Sequence, residues 1–143
     1  MNIIKDESKL INLFGELSGG GMSSYDDEDQ ALVFMFDSSG GGPFEDATLY
    51  LKFGFTEFFQ LPLALDTVNG RGYGIDEFRS ISKEECEAFI HVDITAQMDF
   101  EGSYRCYRFF ANGVASQYYI YCCYLEGWVK PDGWKPHESY KLW

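Results

Sequence analysis

Two long predicted strands in the last third of the chain, residues 104–111 and 114–125, constrain the fold most strongly. The pair Asn112-Gly113 separates them, and two-residue hairpin turns prefer this pair because both central positions need a positive φ. The sequence therefore predicts a long antiparallel hairpin here.

Further segments also predict strands. The run "ALVFMF" at 31–36 is short, aromatic and wholly apolar, which indicates a strand buried on both faces. Apolar and polar residues alternate with a period of two in residues 47–53, 59–65 and 91–98, a pattern typical of strands with one buried face. Pro62 restricts the second of these strands to a sheet edge or a strand end, because proline has no N–H to donate. Residues 140–143 provide a last short strand.

Two helices are predicted. Asp6 is placed to cap the first helix, in which apolar residues recur at i, i+4 and i+7 from Leu10, and the glycines at 19–21 end it. Ser82 and Glu85 form a capping box that begins a second, shorter helix. The first helix has one apolar face, so it should pack on a flat surface such as a sheet.

Two helices with six or seven strands, joined mainly by short turns, predict an α+β fold. We expect residues 1–143 to form a single domain. In it, a twisted antiparallel sheet carries the first helix on one face. The sequence shows no linker and no repeat that would argue for another organisation.

Charge is spread unevenly along the chain. The formal net charge is −12, and residues 1–104 hold twenty acids against six bases, whereas residues 105–143 hold three acids against five bases. Such a field repels nucleic acid and anionic membrane surfaces, so neither is expected as a direct partner. A basic protein is the expected partner.

The sequence also predicts where the protein resides. Only two apolar residues, Ile3 and Ile4, are adjacent before charge resumes at the N-terminus, which is unlike a signal peptide. No apolar run approaches the length that spans a bilayer. The four cysteines lack Cys-x-x-Cys spacing, and the adjacent Cys122 and Cys123 would point to opposite faces of a strand. We expect a soluble, cytoplasmic protein with reduced thiols.

Four acids stand in a row at Asp26, Asp27, Glu28 and Asp29, directly before the apolar run 31–36. The row lacks the glycine that a calcium loop of the EF-hand type needs at its sixth position, so no metal or other cofactor is predicted. Two interpretations of the acids remain open. They either meet lysines and arginines of a partner, or they form a solubilising loop that keeps an edge strand from aggregating.

Tyrosine and tryptophan crowd the last strand and the C-terminal tail. A surface of such residues inside an acidic rim has the composition favoured at protein interfaces. Alternatively, most of these aromatic residues form the sheet core, with their hydroxyls at its rim. In the first interpretation, acids act as phosphate surrogates and tryptophans as apolar anchors, and the candidate partner-binding residues are Asp26, Asp27, Glu28, Asp29, Asp37, Glu45, Asp46, Trp128 and Trp134.

No motif indicates catalysis, so we expect a protein that is not an enzyme. His91 and Asp93 lie two apart on a predicted strand, hence on one face, as a general base and its orienting carboxylate would. The alternative function is therefore a small-molecule-binding or enzymatic α+β domain with a pocket around these two residues. A scaffold protein is a third class.

Two segments carry a family resemblance. "SKLINLFGEL" at 8–17 and "FEGSYRCYRF" at 100–109 resemble the opening helix and a late strand of a family of small bacterial immunity proteins, which protect a cell from its own polymorphic toxin. The resemblance covers about twenty residues. It implies a toxin-neutralising antiparallel α+β protein without catalysis of its own. A phage-encoded inhibitor of a DNA-targeting defence complex, an anti-CRISPR type of protein, belongs to the same physical class of acidic nucleic-acid mimic.

Overall fold

Three short helices and nine strands make up the computed structural model, which describes residues 2–15, 19–37, 46–61, 64–65, 75 and 77–135, without the side chains of 19–22 and 64–65. The helices are α1 (Glu7–Phe14), α2 (Lys83–Glu87) and α3 (Val92–Thr95). The strands are β1 (Gly19–Asp26), β2 (Ala31–Asp37), β3 (Thr48–Gly54), β4 (Phe58–Gln60), β5 (Ala64–Leu65), β6 (Glu77–Ile81), β7 (Arg105–Ala111), β8 (Val114–Cys122) and β9 (Tyr124–Lys130).

The strands form two antiparallel sheets, where the sequence predicted a single sheet. The five-stranded sheet has the order β5-β1-β2-β3-β9, and the four-stranded sheet has the order β4-β8-β7-β6. The predicted α+β class, antiparallel pairing and N-terminal helix are confirmed. The described strands outnumber the six or seven expected, because β1 and β6 were not predicted and because the predicted strands at 59–65 and 114–125 are each two strands in the structure.

Two paired strands pass together from one sheet into the other. β3 pairs with β9 and β4 pairs with β8, so the turn after β3 and the break between β8 and β9 lie side by side. Hydrogen bonds continue across this corner, from Cys123 N–H to the Gly54 carbonyl oxygen (2.9 Å) and from Glu57 N–H to the Tyr121 carbonyl oxygen (3.0 Å). Phe55 makes the bend with a φ of 51°. Corners of this kind are how strands change sheets in packed β architectures.

The inner faces of the two sheets and α1 share one hydrophobic core. Phe14 of α1 lies at its centre, with its ring edge-on to Phe36 (5.1 Å between centroids) and to Phe78 (5.0 Å). Asp6 caps this helix as predicted, since its carboxylate accepts a hydrogen bond from Lys9 N–H. The fully or nearly buried residues of the core are Leu10, Leu13, Phe14, Leu32, Phe34, Phe36, Ala47, Leu49, Leu51, Phe53, Ile75, Phe78, Tyr107, Phe109, Ile120, Cys122, Leu125 and Val129.

A second, smaller core covers the opposite face of the four-stranded sheet. Here α2, α3 and the segments around them pack on side chains of β6, β7 and β8. Tyr121 is buried, and its hydroxyl accepts a hydrogen bond from Asp99 N–H (2.6 Å). The buried residues of this second core are Ile81, Cys86, Ile90, Met98, Cys106, Tyr119 and Tyr121. The four cysteines are free, as predicted.

The strand predicted at 91–98 is wrong, because this segment contains α3. His91 caps the helix through its Nδ1 atom, which accepts a hydrogen bond from Asp93 N–H (3.3 Å). Val92, predicted to face inward, is 69 % exposed. Ile90, Ile94 and Met98 recur at every fourth position, a spacing that fits the face of a helical segment.

Other expectations are corrected or lie outside the described residues. The glycines at 19–21 belong to β1 and do not form a terminating loop, and α1 ends earlier, at Phe14. The Asn112-Gly113 hairpin turn is confirmed, with φ of 49° and 77°. The strand expected at 140–143 falls outside the described residues. In the part of the chain that is described, no helix is long and apolar enough to cross a membrane.

Gly127 of β9 provides a test of how closely the sheet and α1 pack. A methyl group on this residue would lie 2.7 Å from Cδ2 of Leu10 and 2.8 Å from the backbone carbonyl oxygen of Tyr50. Because the carbonyl belongs to the paired strand, Gly127→Ala should lower the free energy of unfolding by about 1–3 kcal/mol in chemical denaturation.

Gly102→Ala is the matched control, since its new methyl group would meet only the flexible carboxylate of Asp99 at 3.0 Å. We expect a change within about 0.5 kcal/mol for this exposed position. Equal unfolding midpoints for the two variants would contradict the close packing of β9 against α1.

Candidate functional site: an acidic hairpin turn beside an aromatic sheet face

The row of acids forms the turn of the β1–β2 hairpin. Asp26 pairs with Ala31, so residues 27–30 reverse the chain. Glu28 N–H donates a hydrogen bond to the carboxylate of Asp26 (3.0 Å), which is the turn that aspartate side chains stabilise. Gln30 takes a φ of 46° at the end of the turn. The acids therefore lie at a chain reversal and do not extend the buried strand β2.

Lys52 of β3 binds two of these carboxylates at once. Its Nζ atom lies 3.1 Å from Oδ2 of Asp26 and 2.8 Å from Oδ2 of Asp29. The Tyr124 hydroxyl donates a 2.7 Å hydrogen bond to the same oxygen of Asp29. Lys52 is only 14 % exposed, so the ammonium group depends on these partners in place of water. The turn is thereby fastened to β3 and β9.

A glycine makes room for this arrangement. Gly54 lies directly opposite Tyr124 in the β3–β9 pair, and a methyl group at Gly54 would overlap the tyrosine ring. The ring can therefore lie flat across β3, with its hydroxyl reaching Asp29. Lys52 Nζ lies 5.9 Å from the centre of the ring, within the range of a cation–π contact.

The hydrogen bonds shift the pKa values of all four groups. The Lys52 ammonium lowers the pKa of Asp26, and Lys52 together with the Tyr124 hydroxyl lowers that of Asp29. The Asp29 carboxylate is the main cause of a raised pKa at Lys52. Burial, followed by the hydrogen bond to Asp29, raises the pKa of Tyr124 to about 12. At neutral pH, both carboxylates and the ammonium are charged and the phenol keeps its proton.

The structure corrects the expectation that all four acids of the row are free to meet a partner. Asp26 and Asp29 are held by the protein's own lysine, whereas Asp27 and Glu28 are exposed at the tip of the turn. With Lys52 counted, the turn keeps a net charge of three negative units. We call Asp26 to Gln30, with Lys52 and Tyr124, the acidic turn.

The other predicted acids lie away from the acidic turn. Asp37 ends the same strand, β2, about 20 Å from the turn for a seven-residue strand. Its carboxylate accepts a 2.7 Å hydrogen bond from the Thr48 hydroxyl. Asp46 is exposed just before β3, with a φ of 60°. Glu45 lies outside the described residues.

Trp128 lies on the outer face of the five-stranded sheet, between these two groups of acids. It stands opposite Tyr50 in the β3–β9 pair, and Tyr50 stands opposite Met35 in the β2–β3 pair. The Tyr50 and Trp128 rings are stacked, 5.4 Å apart with an interplanar angle of 2°. Met35 is 38 % exposed. We call Met35, Tyr50 and Trp128 the aromatic row. Its side chains are partly exposed, and Lys52 lies on the same face of β3, two residues after Tyr50.

Trp134 has a different environment from Trp128. Its side chain packs against the main hydrophobic core, and its backbone N–H donates a 3.1 Å hydrogen bond to the carbonyl oxygen of Pro131. Its ring therefore helps to close the end of the core. Of the two tryptophans predicted to bind a partner, Trp128 lies on the outer face of the five-stranded sheet and Trp134 does not.

Sequence reasoning missed two exposed aromatic residues beside the acidic turn, Tyr25 and Phe55. Tyr25 is 55 % exposed and Phe55 is 40 % exposed. Phe55 N–H donates a 2.8 Å hydrogen bond to the carbonyl oxygen of Asp29, and its ring meets Tyr124 edge-on. The apolar alternation of β3 continues from Phe53 to Phe55, so nothing in the sequence indicates that Phe55 is exposed.

The residues of the alternative pocket face solvent. His91 is 69 % exposed and Asp93 is 84 % exposed, with 3.6 Å between Nδ1 and the carboxylate. They cap the start of α3 and do not share a strand face. Among the residues that the structure describes, no group of three histidine, cysteine or acidic side chains is placed to hold a metal ion.

Comparison of the chain with protein-family models, with curated proteins and with solved structures gave no match in any of the three. The resemblance to immunity proteins therefore stays a prediction.

Replacing Lys52 tests whether it holds the acidic turn. In Lys52→Met, the pKa values of Asp26 and Asp29 should both rise, because the ammonium that stabilises their ionised forms is gone. Carboxyl chemical shifts followed by NMR through a pH titration measure this directly. Lys130→Met is the matched control, since Lys130 contacts Asp132 and neither of the two acids.

The same variant has a predicted pH dependence of stability. The lowered pKa values mean that ionised Asp26 and Asp29 stabilise the fold above their unfolded-state pKa, near pH 4, and that this contribution is lost as the pH falls through the folded-state values. The difference in unfolding free energy between wild type and Lys52→Met should therefore shrink below about pH 4. A constant difference from pH 7 to pH 2.5 would contradict the ion-pair assignment.

Proposed function

We propose that the protein is a non-catalytic inhibitor that binds a basic, nucleic-acid-handling protein. The observation that carries this proposal is the acidic turn, in which Lys52 and Tyr124 fix two carboxylates so that Asp27 and Glu28 are presented on a rigid hairpin. Carboxylates held in this way suit a groove that normally binds phosphates, since lysines and arginines pair with both groups.

Preorganisation is the contribution of Lys52 to this function. A mobile loop with four acids loses conformational entropy when a partner orders it, and that loss weakens binding. Here the ordering takes place during folding, through hydrogen bonds of 2.7–3.0 Å at Asp26 and Asp29. Lys52 removes one unit of negative charge, but it leaves the two exposed carboxylates in defined positions.

The aromatic row supplies an apolar anchor near the charges. Tryptophan and tyrosine are the residues most often responsible for the binding energy of protein interfaces. Trp128 and Tyr50 are stacked and therefore already ordered, and Met35 beside them adapts to irregular surfaces. Exposed Phe55, whose ring contacts Tyr124, adds apolar surface beside the acidic turn, whereas Tyr25 pairs with Leu32 and lies toward the other face of the sheet.

The charge of the whole chain favours a partner of opposite sign. A net charge of −12 steers basic proteins toward this surface and repels nucleic acid and anionic lipid. The partner would be a nuclease toxin, for an immunity protein of the cytoplasm, or a DNA-targeting defence nuclease, for a phage-encoded anti-CRISPR protein. Both partners carry phosphate-binding grooves, so the same chemistry serves either role.

Charge reversal at the tip of the acidic turn tests the proposal. A partner captured from the host lysate and identified by mass spectrometry would be purified, and its nuclease activity and binding kinetics measured with each variant. Asp27→Lys combined with Glu28→Lys should lower the association rate at least about tenfold at low ionic strength, with a smaller effect in 0.5 M salt. Inhibition of the nuclease should weaken in parallel.

Glu84→Lys combined with Glu101→Lys is the matched control. These two acids are exposed and lie outside the acidic turn, and the change in net charge is the same. If both double variants slow association equally, only the net charge matters and the role of the turn is refuted. A captured partner with no nuclease activity and no basic groove would refute the proposed class of partner.

The aromatic row should mainly affect the rate at which the complex with the partner dissociates. Trp128→Ala should raise the dissociation rate of the same complex about 10- to 100-fold while changing the association rate little, because an apolar anchor is lost and the charges remain. Val114→Ala is the control, since Val114 is 68 % exposed on the other sheet. Unchanged dissociation in Trp128→Ala would place the interface elsewhere.

A further inference from the structure

Two arginines stand directly opposite each other on the four-stranded sheet. Arg79 of β6 pairs with Arg108 of β7, and both side chains lie on the face that carries α2. Like charges in this position repel and destabilise a sheet. The chain has four arginines in all and a large excess of acids, so this pairing of positive charge needs a physical reason.

Aromatic rings hold both guanidinium groups in place. The Cζ atom of Arg108 lies 3.7 Å from the ring centre of Phe89, and that of Arg79 lies 4.6 Å from the ring centre of Phe110. Stacking of this kind occupies the flat face of a guanidinium and leaves the N–H groups at its edge available. The two cations are therefore oriented without having used most of their donors.

The described residues satisfy only part of these donors. Arg108 donates one hydrogen bond, from Nε to the Ser116 carbonyl oxygen (2.8 Å). Arg79 is 3.7 Å from a carboxylate oxygen of Glu85, beyond hydrogen-bond distance, and both of these side chains are nearly half exposed. Such exposed pairs are weak and open readily. Glu85 nevertheless shows that a carboxylate oxygen reaches the edge of this arginine pair.

Burial makes an additional anion favourable at this position. Arg108 is partly buried between Phe89 and the sheet, and desolvation lowers the pKa of its guanidinium. The charge of Glu85 opposes this shift, and the charge of Arg79 adds to it. A bound anion would add acceptors and would further offset the desolvation and the repulsion between the two cations.

We propose that Arg79 and Arg108 form a binding site for an oxyanion, either a phosphate group or a carboxylate. Two guanidinium groups from directly opposite positions, with N–H edges that the described residues do not fill, match the oxygens of both ligands in a bidentate manner. The site lies on the outer face of the four-stranded sheet, away from the acidic turn on the five-stranded sheet. It is independent of the proposed inhibitor function.

NMR titration of the whole protein tests this site. The probes are inorganic phosphate and sodium acetate, each against sodium chloride of the same ionic strength, and the signals are the Nε–Hε groups of Arg79 and Arg108. We expect saturable shifts with at least one of the two probes and not with chloride. Saturation by phosphate alone would identify a phosphoryl ligand, and saturation by acetate alone would identify a carboxylate.

Variants assign the binding to the arginine pair. Arg79→Lys and Arg108→Lys should each weaken the affinity about tenfold, because lysine cannot form the bidentate contact. Glu85→Gln should strengthen it several-fold, because a competing carboxylate is removed. Arg105→Lys is the matched control, since Arg105 lies on the opposite face of β7, near Glu7, and it should leave the affinity unchanged.

Three results would overturn the proposal. Shifts that stay linear up to 50 mM of both probes would show that there is no site. Equal weakening by Arg105→Lys and Arg108→Lys would show that only net charge matters. Unchanged affinity in both Arg79→Lys and Arg108→Lys would place any bound anion elsewhere. Because Arg79 is exposed, its variant remains informative even if Arg108→Lys does not fold.

Discussion

The backbone pairing that continues around the corner between the two sheets is the constraint on which the rest of the structure depends. The β3–β4 segment and the β8–β9 segment turn together, and the hydrogen bonds at Gly54, Glu57 and Cys123 keep them in register through the turn. The inner faces of both sheets consequently face one core, and α1 packs into it through Phe14. The same corner carries Tyr124 and Phe55, so the geometry of the acidic turn is set by the fold.

Charge has two different uses in this protein. In the acidic turn, a mostly buried lysine is surrounded by carboxylates and a phenol, and each group has its partner within the chain. At Arg79 and Arg108, aromatic rings orient two cations, and the described residues satisfy only part of their hydrogen-bond donors. The first arrangement organises an anionic surface, whereas the second places two like charges side by side on the other sheet.

Much of the fold was predictable from local patterns, and the failures have physical causes. The caps at Asp6 and Ser82 and the hairpin at Asn112-Gly113 depend on neighbouring residues alone, so the sequence predicted them correctly. β1 was not predicted, because its glycines show no alternation of apolar and polar residues. It becomes a strand through its pairing with β2, which the local sequence does not reveal. Residues 91–98 were wrongly predicted as a strand, because apolar residues at every second position, which suggest a strand, also include residues at every fourth position, which fit a helix.

The candidate site was predictable in its position but not in its contacts. Four adjacent acids beside a buried strand indicated a surface feature, and the outer face of the sheet brings Trp128 between that feature and Asp37. The hydrogen bonds from Lys52 and Tyr124 join residues 23 and 95 positions apart in the chain, so no local pattern reveals them. Phe55 was missed for the same reason, because its exposure follows from the corner.

The contact between Lys52 and its two carboxylates also limits how this sequence can evolve. A change of Asp29 to a neutral residue would leave a mostly buried ammonium with the Asp26 carboxylate and a tyrosine hydroxyl, and a change of both acids would remove both carboxylates that it contacts. Substitutions at positions 26, 29 and 52 are therefore expected to occur together in descendants of this chain. Positions 27 and 28, whose carboxylates do not pair with Lys52, can change independently of these three positions and can adapt to the partner that the surface binds.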